Sequence, residues 1–498
     1  MDLVMIEKRV QGAFVASSIG DALGWPYEKN SGNQSKLIDA NNRFVSWIRK
    51  NKAPFWHNET IKAGEYSDDT QLMLAIARCL LTNDWENNFI KMEYPFWLRY
   101  ERGAGRAVIK AAASWKKGEK PWENVASKNE YFMAGGNGGV MRILPHVIKN
   151  LEKSIDDILD EVISDVILSH GHPRAILGAT CYAYALYYLF TKLDTLSFAE
   201  LVNVLIEGRK KWGGVPNRTL FSDWLNTAQN SAGYVYSEEW NSCYTSMLKQ
   251  LKYINNALGE GLLSDDKHVL ENIGAFSNIS GAGDVAILTA VYFFSKYANS
   301  PELAISIPAS MTGIDTDTIA SITGGLIGAF HGTDWIPLEW KMVQDYSYIY
   351  DLSNKLNMSK SKENDNNIPG DIIDFQHMQE VRCDLIDSKY SILRITEYKT
   401  SFGQTIYIKT IDKKAEKKIE KSTEKSTEKE SLYNKPFSFI TQTFAEKVLK
   451  NELLSRISLR KTMEVIMLRH QGIDDNGIVK QTKLSKEVVN EIVNLFMV

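Results

Sequence analysis

The chain has 498 residues, too many for one ordinary hydrophobic core, so two or more structural units are expected. Its composition (44% hydrophobic, 11% aromatic, 24% charged) is that of a soluble globular protein and excludes a disordered or fibrous one. A net charge of −3 gives no global attraction to nucleic acid or an anionic membrane, leaving only a local basic patch open.

The first segment, MDLVMIEKRVQGAF, lacks the charged-then-apolar order of a signal peptide, and no apolar run reaches membrane-spanning length. A cytoplasmic protein with no membrane partner is expected. Cys79, Cys181, Cys243 and Cys383 have no paired spacing; Cys79 and Cys181 lie in apolar helical runs and read as small core residues. A small-residue helix, GAFVASSIG, ends in Gly20-Asp21-Ala22-Leu23-Gly24, and Glu28 follows a turn made by Trp25-Pro26. Ser67-Asp68-Asp69-Thr70 then opens a helix whose stripe is Leu72, Ala75, Ile76, Cys79 and Leu80. Gly135-Gly136-Asn137-Gly138-Gly139 offers successive backbone N–H groups, as phosphate-cradling loops do, without a Walker lysine or a dinucleotide fingerprint.

Ser169-His170-Gly171-His172-Pro173 precedes Gly178–Phe190, apolar nearly all round like the central helix of a bundle. A zinc site at His170 and His172 is not expected, because no cysteine is expected nearby and hard oxygen ligands dominate elsewhere. Another buried helix is expected over Val285–Ser295. Asp315-Thr316-Asp317-Thr318 then opens Ile319–Phe330, where Gly324, Gly325 and Gly328 weaken the helix intrinsically and imply close approach of a helix or ligand. Strand-like runs are few before residue 357, so residues 1–357 read as one all-α domain. Beyond a polar stretch at Ser359–Gly370, residues 370–411 read as a small β-rich unit, with strands at Tyr390–Ile395 and Thr405–Ile411. Residues 412–434 form a Lys/Glu-rich linker, and 435–498 a helical module whose faint helix-turn-helix pattern is outweighed by the plainer reading of a packing or interaction module.

The two acidic clusters carry the chemistry. Taken singly, each is ordinary helix initiation, a hydroxyl cap with acids in the first turn. Taken together, they set several carboxylates against apolar runs, where they need neutralisation. Hard oxygen donors in this number suit Mg²⁺, Mn²⁺ or Ca²⁺ better than zinc.

In order, GDALG, SDDT, GGNGGVMRILP, SHGHP and GIDTDT resemble the ADP-ribosylglycohydrolase family over roughly residues 8–340. The resemblance implies an all-α fold and a binuclear Mg²⁺ centre, with Mn²⁺ able to substitute, that releases ADP-ribose from a modified protein or nucleic acid. It implies Ser67, Asp68, Asp69, Asp315, Asp317 and Thr318 as metal ligands. Asp21, Gly136, Asn137, Gly138 and His170 would bind ADP-ribose. Glu28, Asp69 and Asp317 are the catalytic candidates, and Glu28 matches the glutamate of members acting on O-linked ADP-ribose. Ser67 replaces the commoner threonine, and Ile314 stands where a second glycine is usual. A hydrolase of small free ADP-ribose derivatives and a non-catalytic ADP-ribose-binding scaffold are the alternative readings. The C-terminal module is a candidate for recruiting a partner.

Overall fold

The protein is described here by a computed structural model covering residues 3–28, 43–51, 57–124, 126–217, 219–261, 264–359, 378–387, 391–413, 465, 468–469, 474–482 and 484–497. Two compact units divide the chain, Met1–Ala415 and Glu416–Val498.

The first unit opens with α1 (Leu3–Gly24) and a one-turn 3₁₀ helix at Trp25–Tyr27, followed by an antiparallel hairpin of β1 (Trp47–Asn51) and β2 (His57–Ile61). The expectation of few strands missed this hairpin. Each strand has only five residues and most are polar, so no alternating apolar run announces it. After α2 (Asp68–Cys79) come α3 (Trp85–Asn88), α4 (Tyr94–Trp97), α5 (Arg106–Lys116), α6 (Lys128–Phe132), α7 (Leu144–Lys149) and α8 (Ile155–Val166). The central α9 (Pro173–Thr191) is followed by α10 (Glu200–Glu207), α11 (Arg209–Trp212), α12 (Ser222–Ser231), α13 (Tyr236–Gly259) and α14 (Asp266–Ile273). The body closes with α15 (Gly283–Tyr297), α16 (Pro301–Ser310), α17 (Thr316–His331) and α18 (Tyr346–Met358). One hydrophobic core runs through these helices; Cys79 and Cys181 are buried in it as free thiols.

The glycines expected to permit close approach do so. A Cβ on Gly324 would lie 2.1 Å from the Ala16 carbonyl oxygen, and one on Gly20 2.1 Å from that of Ala320. Gly328 faces Gly12 at a would-be 2.2 Å, so α1 and α17 touch backbone to backbone. Gly325 makes room for the Tyr182 hydroxyl of α9, at 2.1 Å from a would-be Cβ. This contact brings the C-terminal end of α1 to the N-terminal end of α17, where the second acidic cluster lies.

The strand region is one antiparallel sheet, ordered β3 (Gln379–Asp387), β4 (Ser391–Lys399) and β5 (Thr405–Lys413). It does not stand apart as the small unit expected at 370–411. Ile406 and Ile408 enter the helical core, while polar groups seat the sheet on the body. Asp345, at φ 58° before α18, accepts from Lys399 Nζ at 2.8 Å, Thr405 N at 2.7 Å and Thr405 Oγ1 at 2.7 Å. Gln404 Oε1 accepts from the buried Arg78 at 2.7 Å. The break expected near 357 therefore does not part the sheet from the helices.

In the second unit, α19 (Asp475–Thr482) and α20 (Lys486–Met497) share a cluster of Val465, Ile478, Val488, Val489 and Ile492. Most of the charged linker and residues 435–464 lie outside the described residues, as does 360–370 of the polar stretch. Among the described residues, no helix is long and apolar enough to cross a membrane.

Candidate functional site

Two helix N-termini meet at one cleft. Ser67 caps α2 by accepting from Asp69 N at 3.2 Å, so Asp68 and Asp69 fall in its first turn. Asp315 is the N-cap residue of α17, with Asp317 in the first turn. Thr316 Oγ1 donates to the Gly24 carbonyl at 2.8 Å, tying this loop to the end of α1 just before the turn that carries Glu28. Thr318 Oγ1 donates to Asp69 Oδ2 at 3.4 Å, joining the clusters directly. The cleft has a volume of about 260 Å³, and Glu28, Asp68, Asp69, Asp315, Asp317 and Thr318 all line it. Gly136, Asn137, Gly138 and His170 line the same cleft.

Two of the expected site residues do not line it. Asp21 is fully buried and accepts from Ser67 N at 3.0 Å, Thr70 N at 3.0 Å and Thr70 Oγ1 at 2.6 Å. It anchors the Ser67–Thr70 turn, a different task from the ligand contact expected of it. Ser67 is buried too, and its hydroxyl is engaged by Asp69 N and Asp69 Oδ2.

The electrostatics of the cleft are those of crowded, buried carboxylates. Burial, then the charges of Asp21, Glu101 and Glu28, push the Asp68 carboxyl well above its usual range. Burial pushes Asp69 up as well, followed by Asp21, Asp68 and Asp315. For Asp317 the order is burial, Glu28, Asp315 and Asp69. Asp69 Oδ1 is buried with no hydrogen-bond partner among the described residues. Carboxylates that repel one another around an orphaned oxygen are what a bound divalent cation relieves, and all the donors are hard oxygens. The residues present therefore fit the expected Mg²⁺ or Mn²⁺.

Across the cleft, the glycine loop is held from two sides. Gly136 bridges Ala282, Asn137 N donates to the Gly281 carbonyl at 3.0 Å, and Gly283 N donates to the Gly135 carbonyl at 2.9 Å. Arg142 Nη1 donates to the Gly138 carbonyl at 3.0 Å while its Nε donates to the buried Asp165 at 2.9 Å. Asn137 Nδ2 reaches Asp315 Oδ2 at 3.0 Å, linking loop and acid cluster. His170 lies against this loop: would-be Cβ atoms on Gly136 and Gly138 fall 3.6 and 3.2 Å from its ring. Burial, and then the Arg142 charge, push its imidazole down to about 3, so it is neutral near pH 7. Ser169 Oγ fixes its Nδ1 side at 2.7 Å.

His172 has a separate role. Its Nδ1 accepts from Arg174 N at 3.2 Å and so caps α9, and Nε2 faces Glu239 at 3.5 Å. The fold also brings Cys243 of α13 to this pair, a thiol remote in sequence. A metal on Nε2 would require the proton to move to Nδ1, where a backbone N–H already points. Burial holds the Cys243 thiol protonated.

The sequence reading missed the wall formed by Gly103, Gly105, Arg106 and Val108. Arg102-Gly103-Ala104-Gly105-Arg106, small residues between cations at the start of a helix, was the available signal.

Residues 4–366 match the ADP-ribosylglycohydrolase family. The chain is similar to ADP-ribosylhydrolase ARH3 of Xenopus tropicalis, with 22% identity over 70% of this chain and 94% of that protein. For ADP-ribosylhydrolase ARH3 of Danio rerio the figures are 26%, 68% and 87%. For the ADP-ribosyl-(dinitrogen reductase) glycohydrolase of Rhodospirillum rubrum they are 21%, 49% and 80%.

Proposed function

The chain belongs to the ADP-ribosylglycohydrolase family and is a glycosidic-bond hydrolase, and from that premise we propose that it frees ADP-ribose from a modified macromolecule in a reaction dependent on divalent cations. The carrying observation is the convergence of five carboxylates, Glu28, Asp68, Asp69, Asp315 and Asp317, on one cleft opposite a glycine loop. Asp68, Asp69, Asp315, Asp317 and Thr318, the expected ligands that line the cleft, would hold two Mg²⁺ ions, which when bound supply positive charge and a water of lowered pKa.

The chain's own groups do the rest. The Gly136–Gly138 backbone and neutral His170 face the diphosphate and ribose. They offer backbone N–H donors and an uncharged ring that does not repel the cations. Hydrolysis at C1″ of the ribose develops oxocarbenium character, which a carboxylate-rich cleft stabilises. Glu28 is assigned as the general base, with Asp69 and Asp317 as the other candidates, because Glu28 lies on a separate turn and outside the ligand set. The helical module at 435–498, which lies wholly outside the family match, is the candidate for recruiting a partner.

The test is incubation with serine-, arginine- and nucleic-acid-linked ADP-ribose, with and without Mg²⁺, while released ADP-ribose is monitored. Glu28→Gln should lose about 10²-fold in rate on an O-linked substrate, the scale of a missing general base, while binding ADP-ribose as tightly as the wild type. Binding without turnover on every substrate would favour the non-catalytic scaffold. Turnover of small ADP-ribose derivatives alone would favour the free-ligand hydrolase.

A further inference from the structure

Residues 378–413 lie outside the family match at 4–366, yet they reach the cleft through one buried chain of charges. Arg102 is 2% exposed and immediately precedes the wall residue Gly103. Its Nε donates to Glu59 at 2.9 Å and its Nη1 to Glu65 at 2.9 Å, both carboxylates belonging to the β2 region. Strand β5 completes the set. Tyr407 Oη donates to Glu65 at 2.6 Å and Lys409 Nζ to Glu59 at 2.9 Å, while the Arg102 guanidinium lies 3.8 Å from the centre of the Tyr407 ring. Lys409 N also donates to the Arg99 carbonyl at 3.4 Å. The loop so held presses on the acid cluster: a Cβ on Gly103, at φ 112°, would stand 2.8 Å from Asp68 Oδ1.

We propose that Tyr407 and Lys409 are positioning residues: through Glu65, Glu59 and Arg102 they fix the cleft wall beginning at Gly103 against Asp68. The effect on turnover rests on the hydrolase reading, but the placement of the wall does not. Remove either β5 group and a buried carboxylate loses a charged or hydroxyl donor, which frees the Arg102 fork to shift. A wall displaced by a fraction of an ångström lowers turnover even where the protein remains folded.

The full-length protein is compared with Tyr407→Phe, Lys409→Met and Lys409→Arg by amide hydrogen exchange and steady-state kinetics. Lys399→Met is the control, since Lys399 seats the same sheet through Asp345 and not through Glu59 or Glu65. Tyr407→Phe and Lys409→Met should raise exchange across residues 99–106 about tenfold, the scale of a lost charged hydrogen bond, while Lys409→Arg stays near wild type. The same two variants should lose about tenfold in kcat at temperatures far below melting. Lys399→Met should lower Tm and leave both readouts unchanged. Wild-type exchange across 99–106 in Tyr407→Phe and Lys409→Met overturns the proposal, and so does an equal rise in Lys399→Met. A wild type that hydrolyses no ADP-ribose linkage overturns the proposed function instead, and the exchange data still decide the positioning role.

Discussion

Asp69 carries one oxygen touched by the Ser67 and Thr318 hydroxyls and a second, Oδ1, with no hydrogen-bond partner among the described residues. A buried carboxylate so arranged is costly unless a cation completes it. Asp68→Asn combined with Asp317→Asn should therefore abolish Mg²⁺ binding by calorimetry and hydrolysis with it, while circular dichroism stays native. Wild-type activity of the double variant in chelator would refute the metal centre. A pH dependence follows from the same groups. A carboxyl whose folded pKa is raised holds its proton more tightly in the folded chain. That stability is present below the unfolded value of about 4 and drains away as pH climbs toward the raised one. Cation binding cancels the penalty. The rise in Tm on adding Mg²⁺ should thus be larger near pH 8 than near pH 5. An equal rise at both values would mean that these carboxyls do not bind the ion. At this scale the sequence was most legible. Acid–acid–hydroxyl sets announce themselves by residue type, and all the expected carboxylates except Asp21 line the cleft. Asp21 reads the same on paper, and only the fold shows its oxygens spent on the Ser67 and Thr70 amides.

Among elements, the pairing of α1 with α17 sets the site's dimensions, and glycine makes that pairing possible. Gly324→Ala should cost at least about 2 kcal/mol, because its Cβ would meet the Ala16 carbonyl at 2.1 Å and backbone cannot swing aside as a side chain can. Gly259→Ala at the end of α13 meets nothing within 4 Å and should be neutral, or stabilising by up to about 1 kcal/mol. Chemical denaturation of the two variants checks the contrast; equal stabilities would mean the helices do not touch as described. The glycine spacing in both helices was a readable sign of close approach, but the partner was not, since any small-residue helix would serve. The β1–β2 hairpin was illegible for another reason. It is fixed by a few contacts to a distant turn, such as Trp47 edge-on to Trp25 at 5.3 Å, and not by its own pattern.

For the molecule as a whole, the question is where the chain can be cut. The strands of β3–β5 were legible from their alternation, but their docking was not. The groups that seat them, Lys399, Gln404, Thr405, Tyr407 and Lys409, are mostly polar and resemble a solvated face in sequence. Their partners are the buried charges of the helical body: Arg78, Glu59, Glu65 and Asp345, with Arg102 stacked on Tyr407. Burial pushes Glu59 upward, yet Arg102, Lys409 and Arg49 together bring it well below the usual carboxylate range. A chain ending near Asn357 would strip Lys409 from Glu59, Gln404 from Arg78, and Lys399 and Thr405 from Asp345. Breaking a buried charged pair costs about 3–5 kcal/mol, a large share of the stability of any domain. Such a chain should be insoluble or melt far below the full protein. A chain ending at Ala415 keeps every one of these contacts and should match the full chain in Tm and in turnover of a small soluble substrate. Equal melting of the two truncations would mean that the sheet is an ornament on the helical body; a gap between them means it is part of the enzyme.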